Sequence, residues 1–240
     1  YYQYFDLVIV DEVDAFPYAD DPLLHQAVER AQTAEGHQVY LSATPPEKLK
    51  KEVDHCYYLP ARYHRRVLPV PQLLFAWRLE KELIKGRLAN KVLARIVKLL
   101  EHNHILVFCP NIAMLEKLAG CLQGAFPAIR LTTVYSQDVE RLIKVEKMRE
   151  GDYQLVLTTT ILERGVTFER VSVIVLQASH RIFNRAALVQ MAGRADRKGV
   201  YHQAEVIFVS SEVSWAMKRA IREINQNNRQ ALKEGLIDAM

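Results

Sequence analysis

The sequence predicts an α/β fold, a parallel sheet with helices on both faces, and three observations carry that prediction. Short apolar runs rich in β-branched residues alternate with amphipathic helical patterns over about 130 residues, which is how repeated strand and helix units build a parallel sheet. Half of the 240 residues are apolar and a quarter are charged, the composition of a folded globular chain; disordered, collagen-like and low-complexity classes are excluded. Several predicted strands also end in acidic or hydroxyl residues, and ligands of open parallel sheets bind at the C-terminal strand ends.

The elements follow in order. Phe5 to Val10 is a β-branched apolar run that reads as a buried strand, with Asp11-Glu12-Val13-Asp14 at its C-terminal edge. Pro22 to Glu35 reads as a helix, Val39 to Leu41 as a second strand and Cys56 to Leu59 as a third. Pro60, Pro69 and Pro71 then punctuate the chain and mark a boundary. Beyond it, Leu88, Val92, Leu93, Ile96, Leu99 and Leu100 form the apolar face of a helix, followed by strand Ile105 to Cys109 and a helix from about Ile112 to Leu122. The alternation continues as strand Arg130 to Tyr135, helix Val139 to Arg149 and strand Gln154 to Thr158. Strands Ser172 to Gln177 and Ala204 to Val209 complete it, with helices near 184–195 and 212–229. The expected organisation is therefore an incomplete first domain over 1–59, a basic interdomain linker over 60–71 and a complete α/β domain over 72–240.

Charge separates the same segments. The net charge is +4, but residues 1–59 balance at −7, residues 60–100 at +8 and the remainder at +3. A concentrated basic segment is either an electrostatic footprint for a polyanion, since bound phosphates release their counterions, or a solvated linker. The three cysteines, Cys56, Cys109 and Cys121, lack the paired spacing of a zinc site and are odd in number for a disulfide framework, so they read as buried thiols. No run approaches the roughly 18 apolar residues of a membrane span, and no leader-like segment opens the chain. The expectation is a cytoplasmic protein without stable membrane insertion; the start at Tyr1 rather than methionine points to processing or to a fragment.

Three motifs carry chemistry. An aspartate at a strand end can hold Mg²⁺ on a nucleoside triphosphate while the next glutamate orients or activates the attacking water, which are roles for Asp11 and Glu12; an ordinary acidic loop is the alternative. Ser42-Ala-Thr44 follows another strand, where small hydroxyl residues also serve simply as turn formers. In Gln190-Met-Ala-Gly193-Arg194-Ala-Asp-Arg197, a continuous helix would place Gln190, Arg194 and Arg197 on one face, where guanidiniums could reach a γ-phosphate or merely face solvent. Upstream, Thr158 to Thr160 with Arg164-Gly165 could hold a nucleic-acid backbone without reading its sequence.

In order and spacing, Asp11-Glu-Val-Asp14, Ser42-Ala-Thr44, Thr158-Thr-Thr-Ile-Leu-Glu-Arg-Gly165 and Gln190 to Arg197 resemble motifs II, III, V and VI of superfamily 2 helicases, with Leu106 to Cys109 where motif IV would sit. The wording around Thr159 to Phe168 is most similar to the ComFA family of late-competence DNA translocases. The resemblance implies RecA-like domains, ATP and Mg²⁺ as cofactors, and single-stranded DNA as partner. It implies that Asp11 and Glu12 serve Mg²⁺ and water, that Asp11, Gln190 and Gly165 contact the nucleotide, and that Arg194 and Arg197 complete the site from the second domain. Asp14, Ser42 and Thr44 would couple nucleotide state to domain closure; separately, the basic stretch with Arg62, Arg65, Arg66, Arg78 and Lys81, together with Thr159 and Arg164, is expected to contact the phosphate backbone of a single strand. The resemblance further implies action in DNA uptake, with other competence proteins such as ComFC or DprA as partners and the inner face of the membrane reached only through them.

Two positions depart from the pattern. Thr167 stands where many relatives have aspartate, and Asp196 replaces the glycine common before the last arginine of motif VI. A P-loop needs Gly-x-x-x-x-Gly-Lys-Ser/Thr, and none occurs in these 240 residues. The chain therefore resembles the C-terminal part of a helicase, is expected to need the N-terminal half as a partner and is expected to hydrolyse no ATP alone. The rival readings are a PriA-like primosomal helicase, which would carry clustered zinc cysteines absent here, and a non-catalytic nucleic-acid or protein-binding module.

Overall fold

The computed structural model describes residues 2–15, 17–160, 170–197, 199 and 203–237, and the chain divides after Tyr58 into two units. The first contains β1 (Phe5–Val10), α1 (Pro22–Ala31), β2 (Gln32–Tyr40) and α2 (Glu47–Glu52), with a short 3₁₀ turn at Tyr18–Asp20. β1 and β2 pair in parallel, and their register slips between Phe5 and Leu7. The helix expected to run to Glu35 stops at Ala31, because Gln32 is already extended and pairs with Phe5. Asp21 starts that helix, its carboxylate accepting from the Leu23 N–H at 2.9 Å. Leu7, Ile9, Val39 and Leu41 lie on one face of the two-stranded sheet, each at least 40 % exposed. Such a face resembles a core still uncovered, since parallel strands are ordinarily buried on both sides. The strand expected over Cys56 to Leu59 does not form: no ladder partner exists for it among the described residues, and Tyr57 and Leu59 stand in solvent.

The second unit begins at Leu59 and contains β3 (Gln72–Phe75), α3 (Leu79–Ile84), α4 (Asn90–Leu100), β4 (His104–Phe108), α5 (Ile112–Ala125), β5 (Leu131–Val134), α6 (Arg141–Arg149), β6 (Leu155–Thr158), β7 (Val171–Leu176), α7 (Arg185–Ala192), β8 (Val206–Ser210) and α8 (Trp215–Lys233). Its six strands are all parallel, in the order β3-β8-β7-β4-β6-β5. Alternate side chains of each strand go to opposite faces, so Leu106 and Phe108 join one core and Ile105, Val107 and Cys109 the other. The first core is closed by Leu188 and Val189 of α7 and Met217, Ala220 and Ile224 of α8. The second is closed by Leu83 of α3, Ile96 of α4 and Leu115, Leu118 and Leu122 of α5. Asn111, Asn184 and Ser214 start α5, α7 and α8 by accepting from the N–H three residues on.

The segment expected as a linker belongs to this second unit and is strapped down. The Asn228 side chain on α8 donates to the Leu68 carbonyl at 2.8 Å and accepts from the Leu68 N–H at 3.0 Å. Of the cysteines expected to be buried, only Cys109 is fully so, and burial pushes its thiol pKa up; Cys121 is half-buried and Cys56 exposed. No helix among the described residues is long and apolar enough to cross a membrane.

Candidate nucleotide and nucleic-acid site

In the first unit the acidic run follows β1 directly. Asp11 is exposed, and its Oδ1 accepts from the Glu12 N–H at 2.8 Å. Glu12 takes a left-handed backbone with φ of 52°, which turns the chain sharply off the strand and is uncommon for a non-glycine residue. The Asp11 carboxylate is a hard, exposed oxygen ligand of the kind that could hold one position of a Mg²⁺ ion. Asp14 is tied to the end of β2: its two carboxylate oxygens accept from Ser42 Oγ and Thr44 Oγ1, each at 2.6 Å. Ser42 Oγ in turn accepts from the Thr44 N–H at 3.0 Å. Thr44 is buried, and two short bonds to a charged acceptor tie the Ser-Ala-Thr loop to the acidic loop.

In the second unit motif VI is divided by the end of a helix. Gln190 is in α7, but α7 stops at Ala192, and the Arg194 and Ala195 N–H groups bond three residues back in tight turns. The expectation that Gln190, Arg194 and Arg197 share a helical face does not hold, because Arg194 and Arg197 lie beyond the helix. The two arginines also separate by environment: Arg194 is only 6 % exposed, whereas Arg197 is open to solvent. Asp196 has φ of 41°, the left-handed backbone that glycine adopts without strain and aspartate tolerates, which accounts for the residue exchanged at this position. Its N–H donates to the Val171 carbonyl at 3.1 Å, so the turn sits at the N-terminal end of β7. That is the opposite sheet edge from the one where ligands were expected to gather.

The threonine run does lie at the C-terminal end of β6. Thr158 is fully buried and donates through Oγ1 to the Val134 carbonyl at 2.8 Å, which leaves Thr159 and Thr160, both half-buried, as the hydroxyls near the surface. Arg164, Gly165, Thr167 and Phe168 fall outside the described residues.

The basic stretch resolves into different jobs. Arg62, expected to contact nucleic acid, instead donates to three main-chain carbonyls of the motif VI turn: Gly193 at 3.1 Å, Ala195 at 2.9 Å and Asp196 at 2.9 Å. Burial holds its pKa down to about 10; the Asp196 carboxylate works against that shift and Arg197 adds to it. Arg65 is exposed and donates to the Gly235 carbonyl at 3.1 Å, while Arg66 is half-buried. Sequence reasoning missed His64, whose ring packs on Gly199. A Cβ at Gly199 would lie 2.3 Å from that ring, and the backbone there has φ of +67°. Burial, with Arg62 as the next contributor, lowers the His64 pKa.

The six-stranded parallel sheet with helices on both faces is RecA-like, and residues 89–199 match the helicase conserved C-terminal domain. The fold is shared with Dbp5 of Saccharomyces cerevisiae, solved with RNA and ADP BeF3, at a TM-score of 0.62 and 18 % identity over 92 % of this chain and 57 % of that one. Along its length the chain is similar to the competence protein ComFA. Identity is 37 % over 236 residues to that of Streptococcus pneumoniae, covering 96 % of this chain and 55 % of the relative. It is 38 % over 233 residues to that of Bacillus subtilis, covering 95 % and 50 %. The chain thus spans about half the length of the curated relatives it matches.

Proposed function

We propose that the chain is the C-terminal part of an ATP-driven translocase that moves along single-stranded DNA during competence. The observation that carries this reading is the similarity to two ComFA proteins over at least 95 % of the chain. In this reading Asp11 binds Mg²⁺ on the nucleotide, Glu12 activates water, and Gln190 and Gly165 contact the nucleotide. Arg197 meets the charge that builds on the transferred phosphoryl group; Arg194, being buried, supports the turn that carries it. The bonds from Asp14 to Ser42 and Thr44 relay nucleotide state. The phosphate-binding half comes from further chain in the parent, and the uncovered face of Leu7, Ile9, Val39 and Leu41 is where additional strands and helices would pack. Thr159, Arg164, Arg65 and Arg66 bind the DNA backbone without reading its sequence, competence proteins such as ComFC or DprA are its partners, and it works in the cytoplasm.

Binding of labelled single-stranded oligonucleotides by the full-length parent tests the DNA part. If three to five phosphates are contacted, the slope of log K on log salt is about −2 to −3.5, with little change when the base sequence is scrambled. Binding that ignores salt, or that depends strongly on sequence, contradicts the assignment.

A further inference from the structure

Arg62 lies 131 residues from Gly193 in sequence, yet its guanidinium spans the whole turn that delivers Arg197. Arg62 Nη1 donates to the Asp196 carbonyl, and Nη2 is shared between the carbonyls of Gly193 and Ala195, so one planar group fixes three of the four residues before Arg197. The His64 ring occupies the space over Gly199, two residues after Arg197 in sequence, close enough that no side chain fits at that glycine. Farther along, Arg65 donates to the Gly235 carbonyl and Asn228 brackets Leu68, so the strap that carries Arg62 is itself anchored to α8 and to the residues after it. A turn left to itself after the end of a helix has unsatisfied carbonyls and several accessible backbone states. Here the carbonyls of Gly193, Ala195 and Asp196 accept from a charged, rigid fork, a stronger and better-shaped donor than a lysine or a water would give, and that of Asp196 also accepts from the Gly199 N–H at 3.0 Å.

We propose that Arg62 is a positioning residue for Arg197, clamping the motif VI turn so that the Arg197 guanidinium is held ready for the transferred phosphoryl group. The proposal rests on the assignment of Arg197 made above. Arg62 acts through the turn, touching neither nucleotide nor DNA, so its loss changes the rate of the chemical step more than substrate affinity. Misplacing a catalytic group by about 1 Å costs up to about 100-fold, which sets the scale.

The test compares Arg62→Ala, Arg62→Lys, Arg197→Ala and the Arg62→Ala/Arg197→Ala double variant in the full-length parent, reading kcat and KM for ATP at saturating single-stranded DNA, DNA affinity and thermal melting. Arg62→Ala is expected to lower kcat by about 10- to 100-fold, with KM and DNA affinity close to the parent's. The double variant should be no slower than Arg197→Ala alone, because a positioning residue has nothing left to position. Arg62→Lys, which keeps the charge and guards against an unfolded alanine variant, should remain slow because an ammonium cannot serve three carbonyls spread along a turn. Full activity in Arg62→Lys, weakened DNA binding in Arg62→Ala, or losses that multiply in the double variant would each overturn the clamp and return Arg62 to the role of a DNA contact or an independent element. Normal turnover by Arg197→Ala would instead remove the assignment beneath it, so the two failures are distinct.

Discussion

Arg197→Ala in the full-length parent should lower ATP turnover by about 10³ to 10⁵ while leaving the protein folded. The size follows from the chemistry: phosphoryl transfer spreads negative charge over the transferred group, and a guanidinium placed there stabilises that charge without being consumed. The selectivity follows from the structure. Arg197 is exposed, whereas Arg194 is buried and its removal disturbs packing as well. Arg194→Ala should therefore lose melting temperature along with activity, and Arg197→Ala should lose activity alone. Steady-state turnover and thermal melting of the two variants, measured side by side, check both statements. Retention by Arg197→Ala of more than about a tenth of the parent's rate contradicts the finger.

Glu12→Gln should reduce turnover by about 10² to 10⁴, the usual contribution of a positioned proton acceptor, without abolishing Mg²⁺-nucleotide binding. Glutamine keeps the shape of the side chain at the left-handed turn of residue 12, in which the backbone N–H donates to Asp11 Oδ1, and loses the carboxylate's capacity to take a proton from water. Asp11→Asn should act on the other side of that division, weakening Mg²⁺-nucleotide binding first, since one hard anionic ligand is lost. Nucleotide binding measured by fluorescence alongside turnover separates the two: Glu12→Gln binds and does not turn over, while Asp11→Asn binds poorly. Equal loss of binding in both would mean that Glu12 is a second metal ligand rather than a base.

The strands and helices of the second unit were legible wherever the signal was local. β4, β6 and β7 are almost entirely buried runs of Leu, Ile and Val, and α4 shows its core residues Val92, Ile96 and Leu99 at helical spacing. The acidic run after β1 and the Ser-Ala-Thr run after β2 were weak signals singly and stood out only through their order and spacing with the later motifs; the Ser42 and Thr44 hydroxyls donate to Asp14. What escaped depends on partners distant in sequence. β3 is four residues behind two prolines and exists because β8 offers it a parallel edge, while Cys56 to Leu59 has similar residues and no such edge. Motif VI reads as one helical face, yet α7 stops at Ala192, where Gly193 and the tight turns after it break the spacing. Arg62 looks like any other member of a basic stretch, and only the fold reveals that its charge is spent on three carbonyls. Composition reports that charge is present; it cannot report which charges remain available for a phosphate.

The most direct test of the central claim is Mg²⁺-dependent ATP hydrolysis by the full-length parent and by these 240 residues alone, each with and without single-stranded DNA. The motor account requires phosphate positioning, Mg²⁺ and a finger together, and the P-loop that positions phosphates is not in this sequence. It predicts turnover by the parent that rises on addition of single-stranded DNA, and none by the 240 residues under either condition. Hydrolysis by the 240 residues alone, or a parent that turns over no ATP in the presence of DNA, would contradict it.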